Sequence, residues 1–93
     1  MSLSVTDIFD ASAPWSLDAN VSVRDEAFGA LAYHHVNRRL VFLKSKGLVD
    51  LVRRLDEFDS AAEAIDALVP VRQRANYARA LSSLAASGII CGR

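Results

Sequence analysis

The spacing of apolar and polar residues changes once along this chain, near Lys44. Before it the period is two. Trp15-Ser16-Leu17 and Val21-Ser22-Val23 alternate like a strand interrupted by a polar Asp18-Ala19-Asn20 turn. Asp25-Glu26 break the alternation, and Phe28 to Tyr33 resume it, with Gly29, Leu31 and Tyr33 on one face. His34 to Asn37 predict the next turn, where Asn37 is the residue best suited to a left-handed backbone. Arg38–Leu43 then completes a three-stranded antiparallel meander. Leu40, Val41, Phe42 and Leu43 run without a polar interruption, which puts apolar side chains on both faces of that strand. A small antiparallel sheet normally leaves one face to water. A cover is therefore expected for the second face: a chain terminus, a second copy or a ligand.

After Lys44 the period becomes about 3.6. Gly47, Leu48, Leu51, Val52, Leu55 and Phe58 form one stripe, with Lys46, Asp50, Arg53, Arg54 and Glu57 elsewhere, as in an amphipathic helix. Ser60 followed by Glu63 is a capping-box signal for a second, shorter helix through Ala64, Ile65 and Leu68, closed by Pro70. A third helix is predicted from about Arg72 to Ser87, with Tyr77, Ala78, Leu81, Leu84 and Ala85 inward and Gly88 as its left-handed cap. Ile89-Ile90 form a tail able to pack back or join a sheet. Three strands followed by three helices give an α+β, winged-helix-like layout.

Residues 1–14 fit none of these periods. Ser, Thr, Asp and Ala dominate them, and Ile8-Phe9 is their one strong apolar pair. They are expected to form a flexible arm, docked through Phe9 and Trp15 and dispensable for folding, ahead of a single domain over residues 15–93. A chain of this size buries only about 60–65% of its unfolded surface. That leaves room for a groove but hardly for a deep enclosed active site.

Charge and cysteine content narrow the chemistry. Eleven basic and eleven acidic side chains cancel, so no global field recruits nucleic acid or an anionic membrane, although a local basic patch remains open. The first residues lack the charged and apolar regions of a signal peptide, and no apolar run reaches the roughly 20 residues of a membrane span. A cytoplasmic protein is expected. Cys91 is the single cysteine, which excludes an internal disulfide. It sits near the C-terminus without an activating neighbour, so it is not read as a nucleophile. His34 and His35 are adjacent, and in a strand they point to opposite faces, which argues against a shared metal. No glycine-rich phosphate loop and no carboxylate pair stands out. No catalytic residue, metal ligand or cofactor is expected.

The succession Phe28-Gly29-Ala30-Leu31, Tyr33-His34, Arg38-Arg39-Leu40, Phe42-Leu43-Lys44 and Leu81 to Gly88-Ile89-Ile90 resembles the mycofactocin-biosynthesis chaperones. These lie within the PqqD-like family of recognition elements for the precursors of ribosomally made, modified peptides. The resemblance spans roughly Trp15 to Ile90. It implies three strands plus three helices, no catalysis, and a role in binding a precursor peptide and presenting it to a radical S-adenosylmethionine (SAM) maturase. That enzyme would decarboxylate and cross-link the precursor's C-terminal Val-Tyr. It also implies that the leader peptide adds as a strand along the third strand, wedged against the third helix. Carried onto this chain, those positions are Arg39, Leu40, Val41, Phe42 and Leu43, with Arg74, Tyr77, Ala78, Leu81 and Leu84. Phe42, Leu81 and Leu84 would shape apolar pockets, and Arg39, Arg74 and Arg79 would meet carboxylates of an acidic leader. Core packing or solvation is the competing role for each. The departure from the family pattern is the His35-Val36-Asn37 turn, where a glycine is expected.

Two other readings compete. A small winged-helix DNA-binding regulator would use Arg72, Arg74 and Arg79 with Lys44, Lys46, Arg53 and Arg54, but Asp50, Asp56, Glu57, Asp59, Glu63 and Asp66 offset that charge. The double-faced strand could also seam a homodimer, through an edge strand or a swapped arm. The peptide-binding role leads, without nucleic acid or membrane.

Overall fold

A computed structural model describes residues 9–93. The first eight residues of the expected arm lie outside the described residues. The chain runs β1 (Trp15–Leu17), β2 (Val21–Glu26), β3 (Gly29–His34), β4 (Leu40–Leu43), α1 (Lys46–Arg54), α2 (Ala61–Leu68), α3 (Arg74–Ala86) and β5 (Ile90–Gly92). Single 3-10 turns, Leu55–Glu57 and Val71–Gln73, follow α1 and precede α3. The α+β layout of a three-stranded antiparallel sheet and three helices is as the periodicity predicts.

Strands β2, β3 and β4 form the meander, with Ala32 opposite Val23 on one side and Val41 on the other. The first strand differs from the expectation. Trp15–Leu17 does not join the meander but pairs with β5, Trp15 opposite Gly92 and Leu17 opposite Ile90. The Asp18 carboxylate accepts from the Asn20 N–H at 2.7 Å, and the Val21 N–H bonds the Asp18 carbonyl at 3.0 Å. This Asx-type turn redirects the chain and makes β1 and β2 separate strands. The Ile89-Ile90 tail thus joins a sheet. Strand β2 also continues through Asp25-Glu26, where the pattern suggests a break.

The helices begin and end where their local chemistry says. Ser45 Oγ accepts from the Leu48 N–H and Ser60 Oγ from the Glu63 N–H, both at 3.1 Å, so each serine caps its helix. Arg53 and Arg54 occupy the last turn of α1, where the helix dipole favours cations. Gly88 has φ 79°, and the Ile89 N–H reaches the Leu84 carbonyl at 2.9 Å to close α3.

The core lies between the inner face of the meander and the helices. Ala30, Ala32 and Leu43 meet Val49, Leu51, Val52, Leu55, Ile65, Leu81, Leu84, Ile89 and Ile90, all buried. Small residues on β3 let the helix layer approach the sheet. Gly29 does the same for the chain after β4, since a Cβ there would sit 2.0 Å from the Leu43 carbonyl oxygen. Residues 9–14 are packed against this body. Phe9 and Trp15 stack with centroids 5.0 Å apart, and Trp15 Nε1 donates to the Asp10 carbonyl at 2.8 Å. The Ala11 and Ala13 carbonyls accept from Ala62 and Ala61, two N–H groups in the first turn of α2 that have no partner within the helix.

Candidate peptide-binding site

Strand β4 is the outer strand of the meander and, among the described residues, is hydrogen-bonded to β3 and to no other strand. The His34 N–H bonds the Arg39 carbonyl at 2.9 Å. Antiparallel alternation then turns the backbone of Val41 and Leu43 toward β3, and that of Leu40 and Phe42 toward the open edge. Side chains alternate as well. Leu43 is fully buried and Val41 half-buried on the inner face, whereas Leu40 is 55% and Phe42 54% exposed on the outer face. The predicted second apolar face exists and nothing in this chain's described residues covers it. Phe28, 45% exposed, extends it, its ring centroid 5.7 Å from that of Phe42. Leu31 and Tyr33 face the same way from β3, directly opposite Phe42 and Leu40.

Helix α3 is tied beside this edge at both of its ends. Asn37 Nδ2, in the turn before β4, donates to the Ser87 carbonyl at 3.1 Å. Ser45 Oγ, just after β4, lies 3.2 Å from Tyr77 OH. Gly47 makes room for that tyrosine, because a Cβ there would fall 2.5 Å from its hydroxyl oxygen. The two ties run α3 antiparallel to β4. Among the described residues the surface encloses no pocket.

The turn before β4 differs from its expected geometry. The left-handed residue is Arg38, at φ 67°, not Asn37. Asn37 instead uses its side chain, accepting from the Arg39 N–H through Oδ1 at 2.9 Å while Nδ2 reaches α3. Those bonds hold without glycine the turn for which the family pattern suggests one. Buried His34 supports it, since Nδ1 accepts from the Val36 and Asn37 N–H groups at 3.1 and 3.2 Å. Its proton therefore sits on Nε2, 3.6 Å from Asp18 Oδ1. His35 points outward to Ser22 Oγ, 2.6 Å away. The two histidines, one ending β3 and the other opening the turn, have different partners, and both are engaged in hydrogen bonds within the fold.

The ten candidate residues divide. Arg39, Leu40 and Phe42 are exposed, and Val41, Tyr77 and Ala78 are half-buried. Leu43, Leu81 and Leu84 are core residues with at most 4% exposure. Arg74 turns to α2, donating to the Val69 and Asp66 carbonyls at 2.9 and 3.0 Å. It braces the end of that helix. Arg79 is exposed and bonds Asn76 on its own helix. Phe28, Asn37, Ser45 and Ser87 complete the site without having been picked out. Their roles depend on cross-strand register and on contacts up to 50 residues apart, which no local pattern carries.

An open strand edge with an uncovered apolar face is a surface suited to taking up a partner segment. Comparison with known proteins gives the family. The sequence profile of the Peptide chaperone MftB family matches residues 14–91. A Peptide chaperone MftB of Mycobacterium ulcerans (strain Agy99) is 41% identical over 83 residues, 88% of this chain and 76% of that protein. Its namesake in Mycolicibacterium smegmatis is 40% identical over 83 residues, 88% of this chain and 81% of that protein. The one in Mycobacterium tuberculosis is 37% identical over 86 residues, 91% and 79% of the two chains. No solved structure matches significantly. The chain belongs to the peptide chaperone MftB family, a family of chaperones rather than catalysts. Among the described residues no helix is long and apolar enough to cross a membrane.

Proposed function

We propose that this protein is a cytoplasmic peptide chaperone that takes up the mycofactocin precursor as an added strand on β4 and presents it to a radical SAM maturase. The observation that supports this most is the free edge of β4 beside α3. The outward N–H and C=O groups of Leu40 and Phe42 need partners, and a peptide main chain supplies them in register. Side chains of the guest would alternate between the apolar face at Leu40, Phe42 and Phe28 and the half-buried residues Val41, Tyr77 and Ala78. Arg39, at the start of the strand, meets a guest carboxylate. Leu43, Leu81 and Leu84 act through the core that holds β4 and α3 in place.

The same edge would pair with a second copy when no peptide is present, so a free homodimer would hide the site and peptide would release it. Titration of isotopically labelled protein with full-length and leader-only precursor tests the proposal. Saturable amide shifts confined to residues 39–43 and 77–84 are expected from both peptides. Binding to duplex DNA, with no response to either peptide, would instead make the protein a small winged-helix regulator.

A further inference from the structure

The net charge of zero conceals a separation of charge along the chain. None of the eleven carboxylates falls in residues 27–49 or 67–93, the two stretches that build β3, β4, α3 and β5. Eight of the eleven basic residues do: Arg38, Arg39, Lys44, Lys46, Arg72, Arg74, Arg79 and Arg93. The rest of the chain holds all eleven carboxylates and the other three basic residues, each of which pairs with an acid. Arg53 pairs with Asp25 at 3.0 Å, Arg24 with Glu26 at 2.6 Å, and Arg54 with Asp50 and Glu57 at 3.6 and 3.2 Å. Arg38, Arg39 and Lys44 are exposed, and among the described residues none lies within salt-bridge distance of a carboxylate. Uncompensated cations therefore stand at both ends of the open strand, with an apolar stretch between them.

Building on the strand-addition reading, we infer that the guest is an acidic-apolar segment with a defined spacing. An antiparallel guest strand continues the meander. Lys44, Phe42 and Leu40 share the outer face and Arg39 the inner one. Read from its N-terminus, the guest then carries a carboxylate opposite Lys44, apolar residues opposite Phe42 and Leu40, and a carboxylate opposite Arg39. The pattern is acid, any, apolar, any, apolar, acid. A nucleic acid would use the same cations but would leave the strand edge unpaired and the Leu40–Phe42–Phe28 face against water. The apolar half of the site thus favours peptide.

The test uses the synthetic peptide Gly-Ser-Glu-Thr-Leu-Thr-Val-Glu-Ser-Gly and its counterpart with Gln at both Glu positions, each titrated into labelled full-length protein. Two exposed ion pairs predict about tenfold tighter binding of the Glu peptide at low salt, a margin that shrinks as salt screens it. The double substitution Arg39→Ala with Lys44→Ala should erase the margin while leaving the fold's amide spectrum intact. Equal affinity for both peptides at the β4 amides, independent of salt, would overturn the charge assignment and leave strand addition standing. Absence of β4 shifts with these peptides and with the precursor alike would overturn both. Displacement of the Glu peptide by a short duplex DNA that binds more tightly would reassign the basic rim to nucleic acid.

Discussion

Asn37 Nδ2 donates to the carbonyl of Ser87, joining the turn before β4 to the end of α3. The same side chain accepts from the Arg39 N–H, so one residue shapes the turn and ties it to α3. Asn37→Ala should cost about 1 kcal/mol of stability in urea denaturation, the typical net worth of such hydrogen bonds. Precursor affinity should fall several-fold, because the end of α3 is released. His34→Leu, which strips the acceptor from two N–H groups beneath this turn, should cost more, about 1–3 kcal/mol. Equal stability of His34→Leu and the parent would show that water replaces the imidazole.

Phe42 and Leu81 separate binding from folding. Phe42 is 54% exposed and Leu81 is fully buried. Phe42→Asp should change stability by about 1 kcal/mol at most and reduce peptide affinity about tenfold or more, as loss of an aromatic anchor does. Leu81→Ala should cost about 2–5 kcal/mol. Calorimetric titration alongside urea melts distinguishes them. A Phe42→Asp protein that unfolds would place that ring in the core.

The hydrogen bonds at residues 9–14 alter the outcome expected for removal of the arm. A chain beginning at Pro14 loses the carbonyls that cap Ala61 and Ala62, together with the Phe9–Trp15 stack. The cost should be about 2–4 kcal/mol, read as a lower urea midpoint for the truncated chain. An unchanged midpoint would make these contacts redundant with water.

Cys91 should be slow to react. Burial, and secondarily the Asp18 carboxylate, push its thiol above the ordinary range, so the fold favours the neutral form. Stability from this source is complete below the unfolded thiol's pKa, about 8.5, and declines as pH rises past it toward the folded value. Iodoacetamide should therefore alkylate the native protein more slowly than the urea-unfolded chain near that pH. Asp18→Asn should recover only part of the difference, since burial is the larger cause. Matching rates in the native and unfolded protein would refute this.

Much of the fold was legible because its determinants are local. The change of period at Lys44 separates sheet from helices. Ser60 and Gly88 mark helix ends through hydrogen bonds that span at most five residues. The predicted stripe holds Leu51 and Val52 of α1 and Leu55 of the following turn, all buried, but it omits buried Val49 and includes exposed Gly47. The candidate site was legible as a strand and a helix, but its residues could not be sorted by role. Leu40 and Leu81 are alike in sequence, and one faces solvent while the other is enclosed.

By itself the sequence determined the succession of strands and helices, their caps and the two-faced apolar strand, all set by neighbours within a turn or two. The tertiary structure decided which strands pair, sending β1 to β5 and leaving β4 at the edge. It also decided which apolar residues stay open and tied the two acid-free stretches together through Asn37 and Ser87. Those outcomes depend on groups up to 50 residues apart that approach only when the core forms, and the candidate binding site is made of such approaches.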